Sequence, residues 1–261
     1  MENKRFSISN KMEQRNQRII NFNKYWIAKI DAKKITLNKN HLFDEALSNI
    51  FVKISGNLMK EFRPHLIYTY NLSIYLFFGT TEDRKSINAN EFISMICSYA
   101  SIKFNEYLRN LPKEPLYPLE RIYFGGSIFE LKSPEEQFNY LYWTISTGSI
   151  EYSINRISEI HFSKKMLKGK DSFEKVRMLN EKGIEWNKAS DPFKFGILIK
   201  RKLIPSKISV RNKKGQIREE NIMKNEIYYR SMNIAGFDEN LMKMLFSKIL
   251  GDTTDWLHLG K

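Results

Sequence analysis

Apolar and polar positions change period several times along this 261-residue chain, and each change marks an expected element. Over residues 24–31, Trp26, Ala28 and Ile30 alternate with Tyr25, Ile27 and Lys29, the two-residue period of a strand. From about His41 to Phe62 the apolar residues Phe43, Leu47, Ile50, Ile54, Leu58 and Phe62 recur every three or four positions, the period of an amphipathic helix. Arg63-Pro64 stops that helix, because the residue before a proline is pushed out of the helical region. Two short apolar runs follow, Leu66 to Tyr70 and Ile74 to Gly79, and read as strands with almost nothing between them. A polar loop leads to a second helix over about 90–110. A proline-rich connection over 112–118 precedes a fourth strand, 121–131, with a kink expected at Gly125-Gly126.

Strand, helix, strand, strand, helix, strand is the ferredoxin-like order, which polymerase palm domains share. The expected fold is therefore α+β: a palm-like antiparallel sheet with helices on one face, plus a helical and β C-terminal extension. Ser133, Pro134 and Glu136 open a long helix as N-cap, first-turn proline and capping-box partner, and the helical run continues to about Phe162. A basic segment spans 164–180. Phe193 to Leu203 reads as a strand, and Lys207–Val210 with Gln216–Glu219 as a hairpin through 212–215. A last helix runs from a cap at Asp238 to about Leu250. Its apolar residues Leu241, Met244, Leu245 and Ile249 either cover a subunit or partner interface or pack back on their own domain. The layout is a basic arm over 1–23, a palm-like domain over 24–132, a helical second half over 133–203 and an extension over 204–261.

Charge adds a partner class. The formal net charge is +14, which favours polyanions, nucleic acid first. The basic clusters are Lys164, Lys165 and Lys168, then Lys200 and Arg201, then Lys207, Arg211, Lys213, Lys214 and Arg218; these are the expected RNA-binding residues, with solvated faces as the plainer alternative. The single cysteine, Cys97, excludes an internal disulfide and reads as a core thiol, and the four histidines show no metal-ligand spacing. No run of about 18 apolar residues occurs, so the expectation is a cytoplasmic protein with no membrane partner.

Several short motifs, taken in order, carry a family likeness. Lys29-Ile30-Asp31-Ala32-Lys33-Lys34-Ile35 is similar to the R-hydrophobic-D-G-R-x-F motif of the tRNA-His guanylyltransferases, and Leu58 to Phe62 to the end of that family's next helix. Tyr68 to Phe78 stands where the family carries A-Y-G-x-S-D-E-x-S-F. Phe124 to Ser127, then Tyr140 to Ile145 and Ser149 to Tyr152, stand where it has F-D-G/A-R and Y-L-x-W-R-Q-x-D-x-H-I-N-N. Leu167 to Lys170, Gly183 to Asn187 and Phe193 to Ile199 match three later family motifs. The chain resembles this family over roughly residues 24–203.

The resemblance implies a polymerase-like palm whose chemistry adds a nucleotide to the 5′ end of tRNA-His, with two magnesium ions held by paired carboxylates beside a triphosphate. It also implies what is missing. Asp31 matches the first carboxylate, but Leu72 and Ser73 stand at the acidic turn, Ser127 at the strand arginine, and Ser149 at the histidine of the later helix. Glycines, Trp143 and the apolar strands remain. The expectation is a pseudoenzyme: a non-catalytic RNA-binding, regulatory or scaffold protein acting with a tRNA-like RNA, and forming homo- or hetero-oligomers as the family does. Lys33 and Lys34 face phosphates in this reading, and Asp31 keeps at most a residual metal role beside its ordinary one as a turn residue. No cofactor is expected. The alternative is an active nucleotidyltransferase with a rebuilt site, Asp31 acting with Glu82 or Asp83, and only then Mg2+ with GTP or ATP.

Overall fold

A computed structural model describes residues 19–21, 23–35, 45–80, 86–110, 121–211, 217–234 and 238–247. Most of the expected basic arm, Glu82, Asp83, Lys213, Lys214 and the 112–118 connection lie outside them, as does the side chain of Arg211.

In chain order the main elements are β1 (Tyr25–Lys33), α1 (Glu45–Phe62), β2 (Leu66–Tyr70), β3 (Ser73–Phe78), α2 (Ala89–Arg109) and β4 (Tyr123–Leu131). After these come α3 (Pro134–Trp143), a π-helix (Thr144–Ile150), α4 (Glu151–His161), α5 (Lys164–Leu167), α6 (Ser172–Glu181) and α7 (Asp191–Phe195). Two long strands, β5 (Ile197–Arg211) and β6 (Ile217–Arg230), and the helix α8 (Glu239–Phe246) complete the described chain. The six strands form one sheet in the order β4-β1-β3-β2-β5-β6, every neighbour antiparallel.

Period two divides each strand between the two faces of this sheet. Trp26, Ala28 and Ile30 of β1, Ile74, Leu76 and Phe78 of β3, and Phe124 of β4 enter a core roofed by α1 and α2. The α1 stripe read from the sequence supplies Leu47, Ile50, Ile54, Leu58 and Phe62, and α2 adds Phe92, Ile96 and Phe104. Asn88 caps α2, its side chain accepting from the backbone N–H groups of Asn90 and Glu91. Ile27, Leu66, Tyr68, Tyr75, Phe77 and Leu198 face the other way, where α3 and α8 meet them through Phe138, Leu141, Leu241, Met242 and Leu245. Of the two roles expected for the last helix, α8 therefore takes the inward one and packs back on its own sheet. A third, smaller cluster holds the helical lobe together through Ile157, Phe162, Leu179 and Phe193. No helix among the described residues is long and apolar enough to cross a membrane.

Several expectations need adjustment. Gly125 and Gly126 lie inside an unbroken ladder running from Tyr25 opposite Leu131 to Lys33 opposite Tyr123. Ser133 caps α3 as expected, but the Glu136 carboxylate accepts from the Lys132 N–H at 2.7 Å, one residue before the capping-box position. The long helix beyond it is not uniform. Thr144, Ser146, Thr147 and Ser149 donate their hydroxyls back to the carbonyls of Tyr140, Tyr142, Trp143 and Ile145, which loosens the turn, and the segment winds as a π-helix. Phe193 to Phe195 close the short helix α7 rather than starting a strand, and Gly196, at φ 69°, makes the corner into β5.

Candidate functional site

Four of the positions singled out from sequence, Asp31, Ser73, Lys33 and Ser127, meet at the open end of the β1–β3 pair. Asp31 lies opposite Ser73 on β3 and opposite Gly125 on β4. Leu72 sits in the tight turn between β2 and β3, its carbonyl accepting from the Ala32 N–H at 2.9 Å, and Asn71 beside it adopts φ 51°. The Leu72 side chain packs against the helix-covered core, away from the carboxylate.

Asp31 is already partnered. The Ser73 hydroxyl donates to its Oδ1 at 2.7 Å. The ammonium groups of Lys29 and Lys33 approach from either side, at 3.6 Å from Oδ1 and 3.7 Å from Oδ2. Lys29, Asp31 and Lys33 are odd-numbered β1 residues and so share the face opposite α1 and α2. Cross-strand from them on β4 are Ser127, Gly125 and Tyr123. Lys29 lies 5.6 Å above the Tyr75 ring, and Lys34, at φ 62°, lies 5.9 Å from the Tyr123 ring.

Beside this charged cluster the face is aromatic. Tyr70 and Tyr75 stack with centroids 6.0 Å apart and planes 6° from parallel; Tyr75 meets Tyr140, and Tyr140 meets Trp143. Burial is the main cause that holds the Tyr75 and Tyr68 phenols far above their usual range, with the neighbouring Tyr70 adding to it. Tyr68 donates to the Phe195 carbonyl at 2.9 Å. Gly148 of the π-helix lets Tyr70 in: a Cβ there would stand 2.7 Å from the Tyr70 hydroxyl oxygen. Ser149 is buried and donates to the Ile145 carbonyl at 3.0 Å. Trp143 remains 59% exposed.

Of the residues singled out from sequence, the fold thus brings Asp31, Ser73, Lys33 and Ser127 together. Leu72 turns to the opposite core, and Ser149 is buried behind the tyrosines. Lys164, Lys165 and Lys168 are exposed on the separate helical lobe and make no ion pair among the described residues. Lys207 pairs with Glu219 on the β5–β6 hairpin. Lys200 departs from its expectation as a surface cation. It is fully buried, and its Nζ donates to the carbonyls of Leu245 and Ser247 at the end of α8 and of His65 at 3.4 Å. Burial, and secondarily the charge of Arg201, push its pKa down to about 7. Arg201 is half-buried and donates to the Pro64 carbonyl at 3.3 Å. Cys97 is a partly buried thiol whose pKa burial pushes up to about 11. Lys29, Tyr70 and Tyr75 were not singled out from sequence, although a lysine two places either side of a strand aspartate must share its face.

A magnesium pair does not fit these residues. A magnesium pair is held by more than one carboxylate, whereas among the described residues Asp31 has only Leu72 and Ser73 at the turn beside it, and its Oδ1 already accepts from the Ser73 hydroxyl. Among the described residues no group of three or more His, Cys, Asp or Glu gathers to hold a metal.

No family model matches the chain, and no curated protein sequence matches it. Solved structures do. A bacterial tRNA-His guanylyltransferase-like protein in complex with ATP superposes with a TM-score of 0.62 at 23% identity, over 75% of this chain and 86% of that one. A bacterial tRNA-His guanylyltransferase-like protein in complex with GTP gives 0.57 at 20% identity, over 83% and 90%. The tRNA-His guanylyltransferase of Saccharomyces cerevisiae gives 0.60 at 18% identity, over 70% and 88%. The architecture is thus a palm-type α+β sheet under two helices. More narrowly, it is the fold of the tRNA-His guanylyltransferases and their like.

Proposed function

We propose that the chain is a diverged member of the tRNA-His guanylyltransferase family that binds a tRNA-like RNA without transferring nucleotides to it. One observation carries this reading: Leu72 and Ser73 stand at the turn where the family has its acidic pair, Leu72 packs into the helix-covered core, and the Ser73 hydroxyl donates to Asp31 in place of a second carboxylate. Metal-assisted transfer needs charge on the attacking and leaving oxygens offset by cations that the protein holds in place. With leucine and serine at the companion acidic turn, one carboxylate does not hold a pair of cations. The loss of one key electrostatic group typically costs about 100-fold or more in rate. Here several are replaced together.

The RNA half of the reading rests on charge. Leaving out the buried Lys200, residues 201–230 carry nine Lys and Arg against three Glu, a net +6 of the +14 of the chain. Most of this stretch is the β5–β6 hairpin, and the exposed Lys164, Lys165 and Lys168 add a second patch. Phosphate contacts of this kind release counterions, so binding weakens steeply with salt. The test is incubation of the purified protein with tRNA-His lacking its 5′ guanosine, labelled GTP and either magnesium or manganese. The expected result is salt-sensitive retention of the RNA with no label incorporated, and Leu72→Asp alone restores nothing. Robust incorporation, abolished by Asp31→Ala, would overturn the reading.

A further inference from the structure

The β5–β6 ribbon has two open edges of unlike character. β5 is joined to β2 only through Ile197–Ile199, and β6 is the last strand of the sheet, so among the described residues no strand pairs with the outer side of either beyond that point. An unpaired edge is a template for another strand, and proteins blunt it with charges or with proline. β5 has both devices: Arg201, Lys202, Lys207 and Arg211 with no acidic residue among them, and Pro205. β6 contains no proline, and its three acids, Glu219, Glu220 and Glu226, balance Arg218, Lys224 and Arg230. All the acidic residues of the ribbon thus lie on one strand, interleaved there with basic ones.

We propose that β6 is the surface on which the chain pairs with a second copy of itself, antiparallel, about a two-fold axis at Ile222. This pairing does not depend on the RNA reading.

Two constraints set its register. Pro205 has no N–H, so its place in the β5–β6 ladder is one whose backbone groups point away from β6; Met223, opposite it, likewise points away from β5. The odd-numbered residues of β6 therefore offer their N–H and C=O groups outward, and a partner strand must bring odd positions against odd. Charge then selects among the registers that remain. With the axis at Ile222, Arg218 meets the partner's Glu226, the position of Glu220 meets the partner's Lys224, and Ile217 meets the partner's Ile227. Ile222 meets the partner's Ile222, and no like charges oppose one another over residues 217–227. Moving the axis to Asn221 sets Arg218 against the partner's Lys224, and moving it to Met223 sets Glu220 against the partner's Glu226. Like charges directly opposite destabilise a strand pair, and opposite charges stabilise it.

Exposure and topology agree with this. Ile217 is 71% and Met223 48% exposed, and both fall inside the paired stretch. A two-stranded ribbon standing clear of its sheet is marginal in water, whereas four strands support one another. An isologous two-fold contact closes on itself, so pairing stops at a dimer and does not run on into a filament.

The experiment is sedimentation of the full chain over a range of concentrations after nuclease treatment, which removes any RNA bridge. A monomer–dimer equilibrium is expected. Glu226→Lys alone sets a like charge against Arg218 at both contacts, and Arg218→Glu alone sets one against Glu226. Each should raise the dimer dissociation constant about tenfold. Mixed in equal amounts, the two variants again oppose unlike charges at both contacts, so the dimer should return as a heterodimer; a folding defect in either variant would not be rescued in this way. Ile222→Cys places two thiols across the axis at a closely spaced pair, and mild oxidation should give a disulfide-linked dimer. Ile208→Cys, on the same face of β5, should give none, with the parent chain and its partly buried Cys97 as the blank. A monomer at every concentration, a dimer indifferent to both single variants, or a mixture no better than its parts overturns the interface. Association that disappears with nuclease overturns it too, and assigns the joining of copies to RNA.

Discussion

The two faces of the sheet have been shaped by different demands. Toward α1 and α2, every β1 residue from Trp26 to Ala32 that points inward is buried and apolar, and the aromatic rings of Phe51, Phe104 and Phe124 meet edge to face. Toward α3, the same strand offers Lys29, Asp31 and Lys33, and its neighbours offer tyrosines. One face follows the rules of a core, in which volume and shape matter most. The other combines a packed aromatic floor with a charged, half-open rim.

Substitutions that treat the faces alike should therefore have unlike consequences. The largest expected effect is on the helix-covered side. Phe104→Ala empties a site between Phe51 and Phe124 and should cost about 3–5 kcal/mol in a urea melt; a loss below about 1 kcal/mol would mean the core collapses freely and the contrast is overdrawn. Next is the corner where β5 leaves α7. Gly196 has φ 69°, and a Cβ on it would stand 2.6 Å from the Tyr68 hydroxyl and 2.7 Å from the Thr69 carbonyl oxygen. Gly196→Ala should lower stability by roughly 1–3 kcal/mol or more from backbone strain alone, with a corresponding fall in melting temperature.

Lys200 sharpens the contrast through pH. Burial lowers its pKa in the folded protein to about 7, from an ordinary lysine value of 10.5. Between those values the unfolded chain holds a proton that the folded chain does not, so stability rises with pH in that window, by at most about 1.4 kcal/mol per unit. Below pH 7 both states are protonated and the slope from this group vanishes. Lys200→Met should flatten the rise measured between pH 7 and 9 and should leave the Leu245 and Ser247 carbonyls without their donor, at a cost of about 1–3 kcal/mol. An unchanged slope in the variant would show that the ammonium is solvated. The smallest effect belongs to the open rim. Lys33→Ala should change stability by less than about 0.5 kcal/mol, whatever it does to ligand binding.

The core-facing half of this contrast was legible in the sequence because burial imposes periodicity. The α1 stripe and the β1 alternation could be read directly, and the adjacency of Asp31 to the Leu72 turn followed from strand order. The hairpin was harder. Lys207–Val210 and Gln216–Glu219 were visible as strands, but β5 and β6 run from Ile197 to Arg211 and from Ile217 to Arg230. Much of that ribbon is solvated on both faces, so nothing forces an alternation on residues such as Asn221, Lys224 and Glu226. The π-helix was hidden for a related reason: hydroxyl side chains that bond to the backbone leave no mark in an apolar pattern. The site itself was half legible. Asp31 and Lys33 were named from the sequence and lie side by side on β1, whereas the placing of Lys29 and the tyrosines beside them needed the knowledge that strand positions 29, 31, 33, 70 and 75 share one face. Lys200 was misjudged because a lysine in a basic run gives no sign of burial until α8 is placed over it.

The length of the ribbon sets a distance rule for any ligand. β2 pairs with β5 only through Ile197–Ile199, so twelve further β5 residues run on to Arg211. Lys200 and Arg201 stay with the body, and the remaining ten, at ~3.4 Å each, extend the ribbon about 34 Å. Charges at its far end are several screening lengths, each about 8 Å at physiological salt, from the sheet. A mononucleotide can therefore sample one end only and gains nothing from the other. A rigid RNA helix of that length is long enough to touch both, and its second contact is made at the high local concentration of a tethered ligand. Shortening the RNA below that length should produce an abrupt step in affinity rather than a gradual decline, so the ribbon would act as a gauge of helix length.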